Sequence, residues 1–309
     1  MKLLKIMCAA LMAISLSACA SKEAPKEKKQ AEPIKILSPM GATALSLLGL
    51  YVNSDVTIDT VDGSDALSAE FSKEDGYDII VAPINLGAKL ISSGKSPYQL
   101  DSVVTWGNLY IVGTDEKALE KEGAFAAFGE AAVPQKVLTS SMDMKEIKPT
   151  ITYYNSVNDV QAQLLSGKAN VGLLAEPAAS ATIAKAKEKG IELKVITDLQ
   201  KAYKEKNKKT NDGYPQAAIF VRKDRIKNSS TYIETAKEFV DSSSEDEKEM
   251  KNAIDVATID KLGVPSVDMI LKTWKRQNIN FVKASKVKED ITSFLKQFDI
   301  TLKDEYYTE

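Results

Sequence analysis

The sequence predicts an α/β fold built as two similar lobes, and three observations carry that expectation. Short apolar runs alternate with amphipathic stretches along most of the chain, the pattern of strand-helix-strand units with parallel pairs. One unit, a capped helix followed by a buried strand and a proline, occurs twice about ninety residues apart. The length of 309 residues also suits two hydrophobic cores, at roughly 100–200 residues per domain.

In order, residues 34–37 read as a strand, 39–41 as a turn and 42–50 as a helix. Residues 56–61 alternate like a strand. Ser64 sits where it would cap a helix whose Ala66, Leu67 and Phe71 share a face, and Gly76 closes that unit. Residues 77–81 (YDIIV) form the next buried strand, and Pro83, Leu86 and Leu90 begin another helix. The second copy starts at Ser156, continues through Val157, Val160, Leu164 and Leu165, and stops at Gly167. Residues 171–174 are its strand, and Glu176-Pro177 opens its next helix, with proline at a favoured first position. Ser64 to Pro83 spans 19 residues and Ser156 to Pro177 spans 21. Between the copies, 105–113 (TWGNLYIVG) reads as a strand able to carry the chain across, and 213–221 (GYPQAAIFV) as one able to bring it back. The remainder reads as helical, over 230–240, 244–258, 266–277 and 286–298, with the charged stretch 201–209 as a solvated surface segment.

Composition excludes more than it includes. There is no histidine, so a Ser-His-Asp or Cys-His device is impossible and so is an imidazole ligand to a metal. Arginine occurs only at 222, 225 and 276, which fits a compositional bias as the cause. With 41 basic and 43 acidic residues the chain carries no global footprint for nucleic acid. Neither a metal nor a cofactor is expected.

The start of the chain reads as an address. Lys2 and Lys5 precede an apolar run through Leu16 that is too short to span a bilayer. Leu16-Ser17-Ala18-Cys19 resembles a bacterial lipobox, implying cleavage after residue 18 and a lipid, palmitate included, on Cys19. Cys8 leaves with the leader, so no disulfide is available to the mature chain. Residues 19–33 are charged and Ala/Pro-rich and read as a flexible tether.

Four segments together resemble the type II periplasmic-binding-protein fold, and within it the NMT1/THI5-like and SsuA-like group. They are SPMGAT at 38–43, GSDAL and YDIIVAP at 63–67 and 77–83, SVNDVQAQLLSGKANVGLLAEP at 156–177, and GYPQAAIFVRKD at 213–224. The resemblance implies two lobes joined by two crossing hinge strands, with C-terminal helices. Lobe 1 would comprise 34–108 and 218–309, and lobe 2 would comprise 109–217. It departs at 124–141 (AFAAFGEAAVPQKVLTSS), where the family opens the second lobe with an Asp-Leu-Lys-Gly-Lys-like stretch.

In open α/β sheets ligands sit beyond the carboxyl ends of strands. That rule selects Ser38, Met40, Gly41 and Thr43, then Ser64 and Asp65, then Pro83 and Asn85, with Ser140, Tyr154, Asn155 and Glu176 from the second lobe. Trp106, Tyr110, Tyr153 and Tyr214 lie near the crossings, where aromatics either sandwich a flat ligand or pack the core. Tyr153 and Tyr154 face opposite ways in a strand, so at most one should reach a cleft. Glu176 is either a helix-dipole partner or an acceptor for an amine edge.

The resemblance implies a lipid-anchored, monomeric receptor outside the cell membrane that hands a small molecule to an ABC permease and its ATPase, without enzymatic activity. The ligand expected is a nitrogen heterocycle such as a thiamine-pyrimidine precursor. A sulfonate-like anion held by helix amides with Lys89 or Lys145 is the alternative, followed by a non-transport sensor. A THI5-like enzyme comes last, because the histidine and cysteine-rich motif of that group are missing.

Overall fold

The computed structural model describes residues 32–62, 65–209, 213–242 and 246–309. The leader, Cys19 and residues 19–31 of the tether lie outside these, as do the Ser64 and Ser244 caps.

A first run of chain builds β1 (Ile34–Pro39), β2 (Val56–Val61), β3 (Ile79–Pro83) and β4 (Tyr98–Thr105). A second builds β5 (Leu109–Gly113), β6 (Ala124–Phe128), β7 (Thr150–Tyr154), β8 (Val171–Ala175) and β9 (Lys194–Asp198), and the chain then adds β10 (Ala217–Arg222) and β11 (Ile279–Lys283). These strands form a six-stranded sheet, β11-β4-β10-β3-β1-β2, and a five-stranded sheet, β7-β6-β8-β5-β9.

The echo in the sequence is a repeated sheet. β1 runs parallel to β2 and β3 just as β6 runs parallel to β7 and β8. Each sheet then takes an antiparallel strand into its interior, β10 between β3 and β4 and β5 between β8 and β9, and β11 adds a second antiparallel strand at the edge of the first sheet. The chain therefore crosses from the first sheet to the second through residues 106–108 and returns just ahead of β10. Buried residues of both sheets belong to one continuous core, in which Leu100, Phe220, Trp106, Tyr214, Leu173 and Phe294 all take part.

Local chemistry explains most elements. Ser156 accepts from the Asp159 amide while the Asp159 carboxylate accepts from the Ser156 amide, a closed capping box. Asp198 caps the helix Leu199–Asn207, so the charged stretch read as a surface segment is a helix with Leu199, Gln200 and Tyr203 buried beneath it. Asp78, at the start of the third strand, accepts from the Lys35 amide and pairs with Arg222 and Arg225, tying β1, β10 and the following helix together.

Several boundaries differ from the sequence expectation. Residues 105–113 are not one strand, because Gly107 takes φ +91° and turns the chain between β4 and β5. The 42–50 helix is two short ones, Ala42–Leu45 and Leu48–Tyr51, after Ser46 Oγ bonds back to the Thr43 carbonyl. Pro177 is the cap of the helix Ala178–Glu188 rather than its first residue, and the Glu176-Pro177 bond is cis. The 266–277 helix is α-helical only over Val267–Thr273 and tightens to a 3₁₀ turn over Trp274–Gln277. Asn278, at φ 51°, then directs the chain into β11, a strand absent from the expectation.

Candidate functional site

The carboxyl ends of β1, β3, β6 and β8 meet around a cleft of about 420 Å³. Its walls are Pro39, Met40, Gly41, Ala42 and Thr43 after β1, with Pro83, Asn85 and Leu86 after β3. Opposite them lie Phe128, Ala132, Val133 and Pro134 after β6, and Ala175 and Glu176 after β8. The floor is made by the crossing segments, through Thr105, Asn108 and Leu109 on one and Gln216 and Ala217 on the other. Strand ends from both sheets and both crossings thus border one space, where the strand-end rule places ligands.

Among the described residues the lining carries one charged side chain, Glu176, and that charge is already committed. Glu176 is 2% exposed, and its Oε1 lies 2.6 Å from Arg276 Nη2 and accepts from Ser180 Oγ at 2.8 Å. Its Oε2 accepts from the Ser180 amide at 3.1 Å. The Arg276 guanidinium rests 4.4 Å from the centre of the Tyr110 ring.

What remains for a ligand is neutral polarity. The helices Ile84–Ser92 and Val133–Ser141 start at the cleft with no side-chain cap; the Ile84 amide donates to the Gln216 carbonyl at 2.9 Å and Pro134 has no amide to donate, which leaves the other first-turn amides without a side-chain cap. Three polar atoms buried at the lining have no hydrogen-bond partner: Asn85 Oδ1, Thr105 Oγ1 and Gln216 Oε1. The orientation of Gln216 follows from a backbone carbonyl. Asn108 donates Nδ2 to the Glu176 carbonyl at 3.2 Å, so its Oδ1 faces Gln216 and accepts from Nε2 at 3.2 Å. That leaves Gln216 Oε1 as the acceptor without a donor.

Of the residues expected to bind, Met40, Gly41, Thr43, Pro83, Asn85 and Glu176 share this lining. Ser38 is fully buried and donates to the Pro39 carbonyl. Ser64 lies outside the described residues, and Asp65 opens the helix Asp65–Glu70. Ser140 stands in the last turn of Val133–Ser141, bonded back to the Val137 carbonyl, so the segment read as a strand-end loop is a helix end pointing away from the strand ends. Tyr154 packs in the second sheet's own core and Asn155 is exposed beside it; neither borders the cleft. Lys89 and Lys145 are exposed and are not among the lining residues.

The hinge aromatics face inward rather than toward the cleft. Trp106 is 4% exposed and donates Nε1 to the Asn280 carbonyl at 2.9 Å. Tyr214 is fully buried, stacks on Phe294 at 5.7 Å and packs edge-on to Tyr203 at 5.3 Å. These contacts are the core-packing role. Burial lifts the phenols of Tyr110 and Tyr203 to about 12 and also holds that of Tyr214 well above its ordinary value. An unfolded tyrosine ionises near 10, so stability from these groups is intact below about pH 10 and falls as pH rises through their raised range. Unfolding midpoints should therefore hold to about pH 9.5 and drop steeply above it, with the share of 295 nm phenolate absorbance that belongs to the buried tyrosines appearing only on unfolding. The absorbance of all eleven tyrosines appearing ahead of any unfolding would contradict the inward packing.

Sequence reasoning missed Phe128, Ala132, Val133, Pro134, Thr105, Asn108, Gln216 and Arg276. The short apolar run AFAAF, bounded by Gly123 and Gly129, would have marked β6 and its carboxyl end, and Gly107 and Pro215 would have marked the two crossings as links. No local pattern announces Arg276, one hundred residues from its partner Glu176.

Among the described residues no His/Cys/Asp/Glu group is placed to hold a metal ion, and no helix is long and apolar enough to cross a membrane. No known family model matches the chain, and no curated protein matches it in sequence. Solved structures do share its fold. An ABC transporter protein from Parabacteroides distasonis superposes with a TM-score of 0.73 at 21% identity, covering 86% of this chain and 92% of its own. The periplasmic aliphatic sulphonate binding protein SsuA from Escherichia coli gives 0.59 at 11% identity, covering 91% and 93%. The periplasmic nitrate-binding protein NrtA from Synechocystis PCC 6803 gives 0.55 at 12% identity, covering 87% and 81%. The chain has the two-lobed periplasmic-binding-protein fold.

Proposed function

We propose that the chain is the solute-binding component of an ABC importer. It takes a small organic ligand in the cleft and presents a closed, loaded form to a permease. One observation carries the reading: a cleft bordered by strand ends of both sheets is floored by the two segments that join them, so occupancy and lobe geometry share residues. No histidine or cysteine lines that cleft, which argues against catalysis on the pattern of the THI5-like enzymes. Cys19 would anchor the chain, as a monomer, to the outer face of a cell membrane, with 19–33 as the tether, 34–108 with 218–309 as lobe 1 and 109–217 as lobe 2.

The ligand this lining favours is uncharged, with both donors and acceptors. N–H or O–H groups would meet Gln216 Oε1, Asn85 Oδ1 and Thr105 Oγ1, and an acceptor would meet the uncapped helix amides. Leu86, Phe128 and Pro134 offer apolar faces to a ring. A nitrogen heterocycle meets these terms, although Trp106, Tyr214 and a free Glu176 no longer support it. A sulfonate-like anion is the second reading, favoured by the helix amides and disfavoured by a lining without a cation.

Titration with a thiamine-pyrimidine, riboflavin and taurine separates the two; binding of taurine alone overturns the heterocycle. Asn85→Leu should weaken whichever ligand binds by about 1–3 kcal/mol, the cost of an unmade buried hydrogen bond. Its folding stability should be unchanged, because Asn85 Oδ1 has no partner to lose. Unaltered affinity would remove Asn85 from the site.

A further inference from the structure

We infer that Arg276 is a specificity-determining residue for the cleft, acting by cancelling the charge of Glu176 and so excluding cationic ligands. The inference rests on the cleft being the ligand site. Among the described residues Glu176 is the one charged side chain of the lining, and it is buried. Left alone, a carboxylate there would make the cleft a receptor for amines and amidines. Arg276 prevents this from outside the lining, with Nη2 at 2.6 Å from Oε1.

The position of Arg276 is set by parts that otherwise have no common purpose. It stands in the 3₁₀ turn Trp274–Gln277, immediately ahead of β11 in the first sheet, whereas Glu176 follows β8 in the second. Tyr110 of β5 supports the guanidinium with its ring and donates its hydroxyl to the Arg276 carbonyl at 3.1 Å. Ser180 supplies the remaining hydrogen bonds to the carboxylate. A flat cation stacked on a ring and aimed at a carboxylate is arginine chemistry, which lysine reproduces poorly. In a chain with arginine at only three positions, one of them is spent here.

The test uses three probes of one size and different charge, benzoate, benzamide and benzamidine, titrated calorimetrically at about pH 8, where benzoate is ionised and benzamidine is a cation. The wild-type chain should bind benzamide and benzoate in preference to benzamidine. Arg276→Met should move the benzamidine-to-benzoate affinity ratio at least about tenfold toward benzamidine. Glu176→Gln, which leaves the cation without its carboxylate, should move it the opposite way, and the double variant should return it to the wild-type value. If Arg276→Met fails to fold, the Glu176→Gln shift and its reversal in the double variant decide the same question. A ratio that stays constant across the chains while the probes bind overturns the role of Arg276. Binding of none of the probes by any chain would instead count against the cleft as the ligand site, and the role given to Arg276 would fall with it.

Discussion

Gly213→Ala should cost more than about 4 kcal/mol of folding stability, enough to remove much of a typical domain's margin. The residue has φ +84°, and a Cβ there would lie 1.8 Å from the Trp106 carbonyl oxygen. That oxygen cannot retreat. It accepts from the Tyr214 amide at 3.1 Å and from Asn278 Nδ2 at 2.7 Å, and the Trp106 amide in turn donates to the Asn278 carbonyl at 2.9 Å. The two crossing segments and the residue before β11 are therefore laced together at one peptide group. Gly107 shows the same closeness from the other segment, since its Cβ would meet the Tyr214 ring at 2.5 Å. Gly190 is the control: its φ is +71° but nothing lies within 4 Å of its Cβ position. Gly190→Ala should cost only the backbone term, about 1–2 kcal/mol. Urea unfolding of both variants decides it, and equal losses at the two positions would refute the close packing of the hinge.

The fold was legible wherever its signal is local. Ser156 with Asp159, the apolar face of Val160 and Leu164, and the buried run of β8 can each be read within one turn or one strand. Strand order was not legible, because β5 and β10 take their places by pairing with strands far away in the chain. The site divided along the same line. Loops after β1 and β3 were found from the strand-end rule, but a buried aromatic and a ligand-stacking one look alike in sequence. Trp106 and Tyr214 turn inward where Gly107 and Gly213, both at positive φ, bend the two crossings, and the Tyr214 amide bonds the Trp106 carbonyl between them. Reading 105–113 as continuous strand concealed this, and with it the role of Asn108. Glu176 was found, but its meaning depended on a partner that sequence distance hides.

Once Arg276 is in place, the parts of the cleft form one connected path. The guanidinium holds the Glu176 carboxylate, the Glu176 carbonyl holds Asn108, and Asn108 holds Gln216. This path passes from the turn before β11 through the second sheet to both crossing segments. On the proposed function, a ligand donating to Gln216 would polarise the hydrogen bonds through Asn108 that link the two crossing segments. On that same reading, binding and lobe geometry would be coupled through these shared groups.

Asn108 is the node of that path, so Asn108→Leu should affect both properties at once. Asn108 is 4% exposed, and leucine is close to it in size, so no large cavity opens. The loss is polar: the Glu176 carbonyl loses a donor and Gln216 Nε2 loses an acceptor. Each buried group left unmade costs about 1–3 kcal/mol, which gives about 2–6 kcal/mol for the pair. The Asn108 backbone carbonyl still accepts from the Glu176 amide and the Leu109 amide still donates to Gln200, so the chain path itself survives. Freed from Asn108, Gln216 can turn its Oε1 to another donor, and ligand affinity should fall by at least about tenfold. Pairing Asn108→Leu with Gln216→Leu tests the linkage: removing both partners should restore part of the stability but none of the affinity. Independent, additive losses in stability would mean that Asn108 and Gln216 merely border the same space.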